Sequence, residues 1–591
     1  MCGVCGILKI GNKKMHVSNI EKMTCTISHR GPDEYGYYKD DTCHLGHRRL
    51  SVLDLTGSHQ PMKSRCARYV LSYNGEIYNF RELREKLILH GLTFKTQGDT
   101  EVLAEGLACY GSAFLKELNG MFAFALWDKK EKTLLIGRDH IGIKPLYYSL
   151  TSDYFLFASE VKSILASGYV KKEINRNSLF EYLCRLSPIY GETLYKGIYE
   201  LKAGNFIVIS CKGKLSQEKY FQLESSWEKN KIKENKKSLA QILKRELSET
   251  VKKQMVSDIP VGLFLSAGVD SSLLLKIMNE QQRGNINIFT YRNPSGIDES
   301  LISRQCVEKI SPWNKHFILS VPLSQYLEHI KKINWYFDCP IAYPSSIPLF
   351  FLAKIAKTKG TKVILSGQGA DELFLGYDRY LLWAKKLIKE KNKKVWAENF
   401  YFGSGINNAG IVEKITGINR ETINTSETFK WVLEFWDLPP LKRMAIYDQK
   451  FRLNGLLKRD DCMGMSAGVE CRVPFLDKEF LNLINSIPDS YKMNKLKRKI
   501  ILKEIAREAL PTGAYQEKKH GSPSELEAWL KTPRFLFSLK NLSNKKNSFT
   551  KSYLNFKSVD QIFKSHENTQ KFSFLCWCIY GLETWYQEEF K

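Results

Sequence analysis

The hydrophobic pattern of this sequence changes character across a charged stretch at residues 224–237 (ESSWEKNKIKENKK). Before it, short apolar runs recur at 4–10, 69–73, 122–127, 133–137 and 155–158, with turn signals between them that include Asn74-Gly75 and Asp128-Lys129. Helical spacing of apolar residues appears at 81–90 and 101–110. This is a mixed α+β pattern. After the charged stretch, apolar runs alternate with helices. A helix is expected at 239–256, a buried strand at 261–265, a helix ending near 279, a strand at 286–291, a helix at 348–357 and a strand at 362–365. Such alternation implies a parallel α/β sheet. The remainder, to 591, reads as mostly helical. At 591 residues the chain exceeds one hydrophobic core. Two domains are expected, 2–215 and 239–591, joined by a linker at 216–238.

Composition narrows the class. Hydrophobic residues make up 43%, aromatic residues 12% and charged residues 26%, as in a folded globular protein rather than a disordered one. No apolar run nears the roughly 18 residues that span a bilayer. The opening, MCGVCGILKIGNKK, lacks the basic-then-apolar order of a secretory signal. A cytoplasmic protein without membrane contact is expected, so the 14 cysteines read as reduced thiols. Cys2 and Cys5 form a C-x-x-C pair, but no second such pair or H-x-x-x-H completes a zinc site. The formal charge of +26 would suit a nucleic-acid binder. Its lysines are spread along the whole chain, however, and no nucleic-acid module is recognisable, so solvated faces are expected and a nucleic-acid partner is not.

If Met1 is removed, Cys2 becomes the first residue, and its thiol sits beside an α-amine with an ordinary pKa of about 7.7–8.0. That amine can serve as the local base for the nucleophile. Downstream come His29-Arg30-Gly31-Pro32-Asp33, then Arg49-Leu50-Ser51-Val52-Leu53-Asp54, Asn74-Gly75-Glu76-Ile77-Tyr78-Asn79, Gly98-Asp99-Thr100-Glu101 and Gly137-Arg138-Asp139. In this order the segments resemble the class II glutamine amidotransferase domain, an N-terminal-nucleophile hydrolase with an αββα sandwich fold. The resemblance implies Cys2 as the nucleophile and Asn74 and Gly75 as oxyanion-hole donors. It implies a glutamine pocket formed by Arg49, Leu50, Ser51, Val52, Leu53, Asn74, Gly75, Glu76 and Asp99. There Arg49 would pair with the α-carboxylate, and Glu76 and Asp99 with the α-ammonium.

A second constellation, Leu265-Ser266-Ala267-Gly268-Val269-Asp270-Ser271-Ser272, lies between a buried strand and a helix. Backbone N–H groups at such a helix start cradle anions, and Asp270 is a candidate magnesium ligand. A third, Ser366-Gly367-Gln368-Gly369-Ala370-Asp371-Glu372-Leu373-Phe374, follows the KVIL strand. The second resembles the pyrophosphate loop of the ATP pyrophosphatase family. With Asp298-Glu299-Ser300, Pro344-Ser345-Ser346, Asp461 to Met465, the ECRVPFLD run at 470–477, Lys499, Lys518-Lys519 and Trp529, these segments resemble the synthetase domain of glutamine-hydrolysing asparagine synthetases. That resemblance implies ATP binding by Leu265, Ser266, Gly268, Asp270, Ser271, Tyr291, Ser366 and Gly367. It implies Mg2+ on Asp270 and Asp371, and Lys499 as a catalytic cation neutralising phosphate charge.

Three positions depart from the family pattern. Gln368 stands where well-known asparagine synthetases carry a Glu linked to aspartyl adenylate formation, Ala267 replaces a glycine, and Cys462 replaces a frequent Arg. Gln cannot act as a general base. The expected function is therefore glutamine- and ATP-dependent amidation of a carboxylate, aspartate first, with a uronic acid of a surface glycan as the alternative. A buried passage for ammonia between the sites and a homodimeric assembly are compatible with this reading.

Overall fold

The computed structural model of the chain describes residues 2–226, 235–282, 284, 286–293, 298–387, 390–403, 405–419, 426–507, 510 and 529–590. Its first half contains twelve strands: β1 (Gly3–Lys9), β2 (Glu34–Lys39), β3 (Cys43–Arg49), β4 (Met62–Lys63), β5 (Tyr69–Ile77), β6 (Gly120–Asp128), β7 (Thr133–Arg138), β8 (Tyr147–Leu150), β9 (Tyr154–Ala158), β10 (Tyr199–Glu200), β11 (Asn205–Ser210) and β12 (Leu215–Lys219). They form two antiparallel sheets, ordered β10-β8-β9-β1-β3-β2 and β12-β11-β7-β6-β5-β4.

Alternate side chains of a strand point to opposite faces, and the sequence uses both. On β6, Ala123, Ala125 and Trp127 pack with Val4 and Leu8 of β1 between the sheets. Phe122, Phe124 and Leu126 turn outward, into a cluster with residues of the helices Phe80–Leu89 and Asp99–Tyr110. On β1, Cys5 and Ile7 turn outward to Ile20 and Met23 of the helix Val17–Thr26. The layers are thus helix, sheet, sheet, helix, the expected αββα sandwich.

The second half is built on a five-stranded parallel sheet of β13 (Val261–Phe264), β14 (Asn287–Tyr291), β15 (Lys315–Leu319), β16 (Val363–Leu365) and β17 (Glu470–Arg472). Its order, β15-β14-β13-β16-β17, reverses direction at β13. Ligands of open parallel sheets bind at strand carboxyl ends beside such a switch point, and the two glycine-containing loops leave β13 and β16 there. Among the described residues, most of the rest of this half is helical. No helix among the described residues is long and apolar enough to cross a membrane.

Two local expectations are corrected. Asn74 and Gly75 do not turn; they lie inside β5, opposite Ala123 and Phe122 of β6. The glycine is required by close approach of the neighbouring strand, since a Cβ there would sit 2.1 Å from the Met121 carbonyl oxygen. The linker expected at 216–238 is shorter, because β12 reaches Lys219 and the helix Lys236–Gln254 starts before 239. β12 carries mostly polar residues because it is an edge strand exposed along most of its length. Residues 227–234 of that segment lie outside the described residues.

Candidate active sites

Cys2 directly precedes β1, whose Gly3 pairs with Arg48 of β3. In the facing sheet, the two-residue repeat of β5 puts Asn74 on the same face as Val70, which lies between the sheets. The two positions meet: the Cys2 backbone N–H donates to Asn74 Oδ1 at 2.8 Å. The other end of that amide, Nδ2, is buried with no hydrogen-bond partner among the described residues. A buried donor left unpaired costs about 1–3 kcal/mol, so this nitrogen is poised to receive an oxygen. Burial pushes the Cys2 thiol above its ordinary value, while the Leu50 backbone and Arg49 pull weakly the other way. The thiol therefore needs a base before it can attack.

Buried carboxyls lie nearby. Asp99 Oδ2 accepts from the Tyr73 hydroxyl at 2.7 Å and the Ile77 N–H at 2.9 Å. Glu76 stands 3.6 Å from Arg472, which reaches across from β17. Burial raises both carboxyls, and Glu470 adds to the rise at Glu76, which lies well above the carboxylate range. A cation relieves such a rise, so the pair suits an ammonium group. Arg49 is arranged differently. Its terminal nitrogens donate to the Leu53, Asp54 and Leu55 carbonyls and to Glu34, fixing the loop that carries Leu50, Ser51, Val52 and Leu53. Pairing with a ligand carboxylate would require this fork to leave those carbonyls.

Arg30, given no role by the sequence, is fully buried between the two halves. Its Nε donates to the Cys2 carbonyl at 3.1 Å, Nη1 to Glu160 at 2.9 Å and Nη2 to Asp461 at 2.8 Å. Glu470 and Arg472 pair at 2.6 Å. Burial alone would raise the Glu470 carboxyl, yet the cations around it, Arg472 and Lys144 among them, hold it down to about 2. Arg30, Asp461, Glu470 and Arg472 lie within the sequence motifs, whereas Glu160 and Lys144 do not. Only the contacts between Arg30 and Asp461, far apart in sequence, reveal that they join the halves.

At the carboxyl end of β13, Ser266 and Ser271 are tied Oγ to Oγ at 3.0 Å, and Ser271 Oγ also accepts the Ser266 N–H at 3.1 Å. Gly268 caps the helix Val269–Gln281, which puts Asp270 in its first turn. Ala267 keeps a negative φ, so its methyl group brings no backbone strain. The loop after β16 lies against this turn, with a Cβ on Gly367 placed 3.2 Å from Asp270 Cβ. Between them is a cavity of about 420 Å³ lined by Leu265, Ser266, Asp270, Ser271, Tyr291, Ser366, Gly367, Gln368 and Asp371.

Lys499 closes the floor of this region. Its Nζ lies 2.7 and 2.6 Å from the two Asp270 oxygens and 2.7 Å from Asp371 Oδ1. Three carboxylate oxygens from the first turns of two helices thus surround one cation-sized point. Lys499 itself adopts the left-handed conformation, φ 51°. Gly376 makes room for the cluster: a Cβ there would lie 1.9 Å from Asp371 Oδ1 and 2.4 Å from Lys499 Cε. Cys462 is buried. Trp529 packs edge-to-face against Phe535 and Tyr580 in the helical core, and Lys518-Lys519 lie outside the described residues.

Residues 1–221 match the glutamine amidotransferase domain, and residues 243–587 match the asparagine synthase family. The chain belongs to the asparagine synthase family. An asparagine synthetase (glutamine-hydrolyzing) 1 of Bacillus subtilis is 30% identical over 100% of this chain and 98% of its own length. A putative asparagine synthetase (glutamine-hydrolyzing) of Mycobacterium bovis is 30% identical, covering 88% of this chain and 86% of that one. Amidase chyE of Penicillium rubens is 26% identical over 92% and 90%. As an asparagine synthase family member the chain is an ATP-dependent, glutamine-hydrolysing ligase.

Proposed function

We propose that the chain converts a carboxylate to its amide by two half-reactions, with aspartate as the first candidate acceptor. Once Met1 is removed, Cys2 sulfur attacks the side-chain amide carbon of glutamine, and the freed Cys2 α-amine takes the thiol proton and returns it to the departing nitrogen. The oxyanion that forms is received by Asn74 Nδ2 and the Gly75 N–H. Collapse releases ammonia, and water then hydrolyses the thioester to glutamate. Glu76 and Asp99 take the glutamine α-ammonium. In the second half-reaction, an oxygen of the acceptor carboxylate attacks the α-phosphorus of ATP and pyrophosphate leaves. Ammonia then attacks the acyl carbon, and AMP departs.

One observation carries this reading. A cavity at the switch point has two carboxylates converging on Lys499, and a continuous apolar cluster joins it to the surroundings of Cys2. That cluster contains Leu50, Val52, Tyr78, Met121, Ile141 and Ile143 from the first half and Leu263, Leu265, Leu365 and Val473 from the second. Neutral ammonia crosses an apolar seam without the protonation that bulk water would impose. Hard oxygen donors suit Mg2+, and Asp270 and Asp371 would hold it once Lys499 yields its place. Bound there, the metal would neutralise triphosphate charge and polarise the pyrophosphate leaving group.

Asn74→Ala should lower kcat for glutamine hydrolysis by about 10²–10³-fold, as loss of one oxyanion donor does, with KM for glutamine changing far less. A glutaminase assay reads this, and an unchanged kcat would remove Asn74 from the oxyanion hole. The neutral amide of Gln368 favours a second reading, in which the acceptor is another carboxylate such as a uronic acid. Pyrophosphate release with ATP, Mg2+ and ammonium chloride, measured across aspartate, glutamate and glucuronate, separates the two. Release only with glucuronate would overturn aspartate as the acceptor.

A further inference from the structure

We propose that Asp460 is the acceptor-reading carboxylate of the ATP cavity, taking the ammonium of an amino-acid acceptor in the place that Gln368 leaves uncharged. This rests on the reading of that cavity as the site of acceptor activation. Asp460 lies on the helix Leu453–Met465, which leads into β17, while Gln368 follows the adjacent β16. Both line the cavity, together with Ser345 and Arg459.

Arg459 organises this end of the cavity, each of its three guanidinium nitrogens donating to a neighbour. Its Nε and Nη2 donate to Asp460 Oδ1 at 2.9 and 2.7 Å, Nη1 donates to Ser345 Oγ at 2.9 Å, and Nη2 also donates to Gln368 Oε1 at 3.0 Å. Asp460 Oδ1 and Gln368 Oε1 therefore share one nitrogen, which puts the two side-chain ends side by side. A carboxylate at 460 thus reaches the space beside 368. Both Arg459 bonds land on Oδ1, and Oδ2 makes no hydrogen bond among the described residues.

The charges around the cavity support the assignment. Asp270 and Asp371 are committed to Lys499. Glu299 belongs to the opposite side, after β14. Asp460 is the acid beside Gln368. Burial raises its carboxyl, and Arg459 offsets this only in part. A cation at Oδ2 would offset the remainder. An acceptor with a protonated amine next to its reacting carboxylate supplies that cation. A uronic acid, which offers hydroxyls alone, does not.

The test uses the full-length protein and pyrophosphate release with ATP, Mg2+ and ammonium chloride. The acceptors are aspartate, succinate (the same two carboxylates without the amine) and glucuronate. Wild type should use aspartate and reject succinate and glucuronate. Asp460→Asn should raise KM for aspartate by about 10- to 100-fold, the weight of a hydrogen bond to a charged group, with a much smaller change in kcat. Adding Gln368→Glu to that variant should return most of the lost affinity, and glutaminase activity should be unaltered throughout. An unchanged KM in Asp460→Asn, or no rescue by Gln368→Glu, overturns the assignment. If Asp460→Asn fails to fold, wild type decides: succinate used as well as aspartate sinks the ammonium role alone. Pyrophosphate release with no acceptor at all sinks the amide-forming reading and this inference with it.

Discussion

Replacing Cys2 by alanine should abolish glutamine-dependent amide formation and leave ammonia-dependent formation close to that of wild type. In the proposed mechanism the Cys2 nucleophile has no substitute within the site. Cys2 is the residue whose backbone holds Asn74 Oδ1, and the Asn74 amide is positioned for an oxyanion on the Cys2 substrate rather than for an attack of its own. Loss of an enzyme nucleophile lowers kcat by about 10⁴–10⁶-fold, which brings glutamine-supported synthesis to background. The effect should stop there. The Cys2 carbonyl accepts from Arg30 of the same half, which in turn bonds Asp461 of the synthetase half, and alanine keeps that carbonyl. The volume change is one sulfur atom, so Arg30 can keep its bonds to Glu160 and Asp461. Amide formed with glutamine and with ammonium chloride, measured side by side, checks this. Loss of both in a variant of native thermal stability would mean that the two chemistries share one site.

The same residues show what the sequence made legible. Each short motif was visible because its chemistry requires particular residue types: a thiol at the start, an Asn-Gly pair, a serine-rich turn after a buried strand. Their placement was less visible. Asn-Gly is a turn signal on local grounds, and only the β6 strand, whose Met121 carbonyl leaves no room for a Cβ, shows why a glycine is needed within a strand. β17 is three residues long, Glu470–Arg472, too short for any periodicity to declare it. Its charged ends are explained by what they meet, namely each other and, for Arg472, Glu76 of the first half. The Arg30–Asp461 pair spans 431 positions, so no local pattern could announce it. Lys499 was legible as a cation by resemblance alone, since among so many lysines nothing local separates it from a solvated helix residue.

Lys499→Met should abolish pyrophosphate release with either nitrogen source while glutamine hydrolysis continues. The site holds Asp270 and Asp371 together with one cation between them. Methionine keeps the aliphatic length that packs beside Gly376 but carries no charge. Two buried carboxylates are then left facing each other, and removing one partner of a buried ion pair typically costs about 3–5 kcal/mol. A bound cation would relieve part of that repulsion. With its competitor gone, the carboxylate pair should bind Mg2+ more tightly in the absence of nucleotide, a shift that calorimetry or Mn2+ resonance would read. The reaction needs the opposite arrangement. In the proposed reaction Asp270 and Asp371 would hold the metal, and Lys499, displaced from them, would neutralise the charge that grows on the phosphate oxygens as pyrophosphate departs. Preorganised positive charge at such a point typically carries about 10²–10³-fold of rate, so the variant should fall at least that far. The two readouts move in opposite directions, tighter metal and slower chemistry. A purely structural lysine would weaken both together, and that result would remove Lys499 from the reaction.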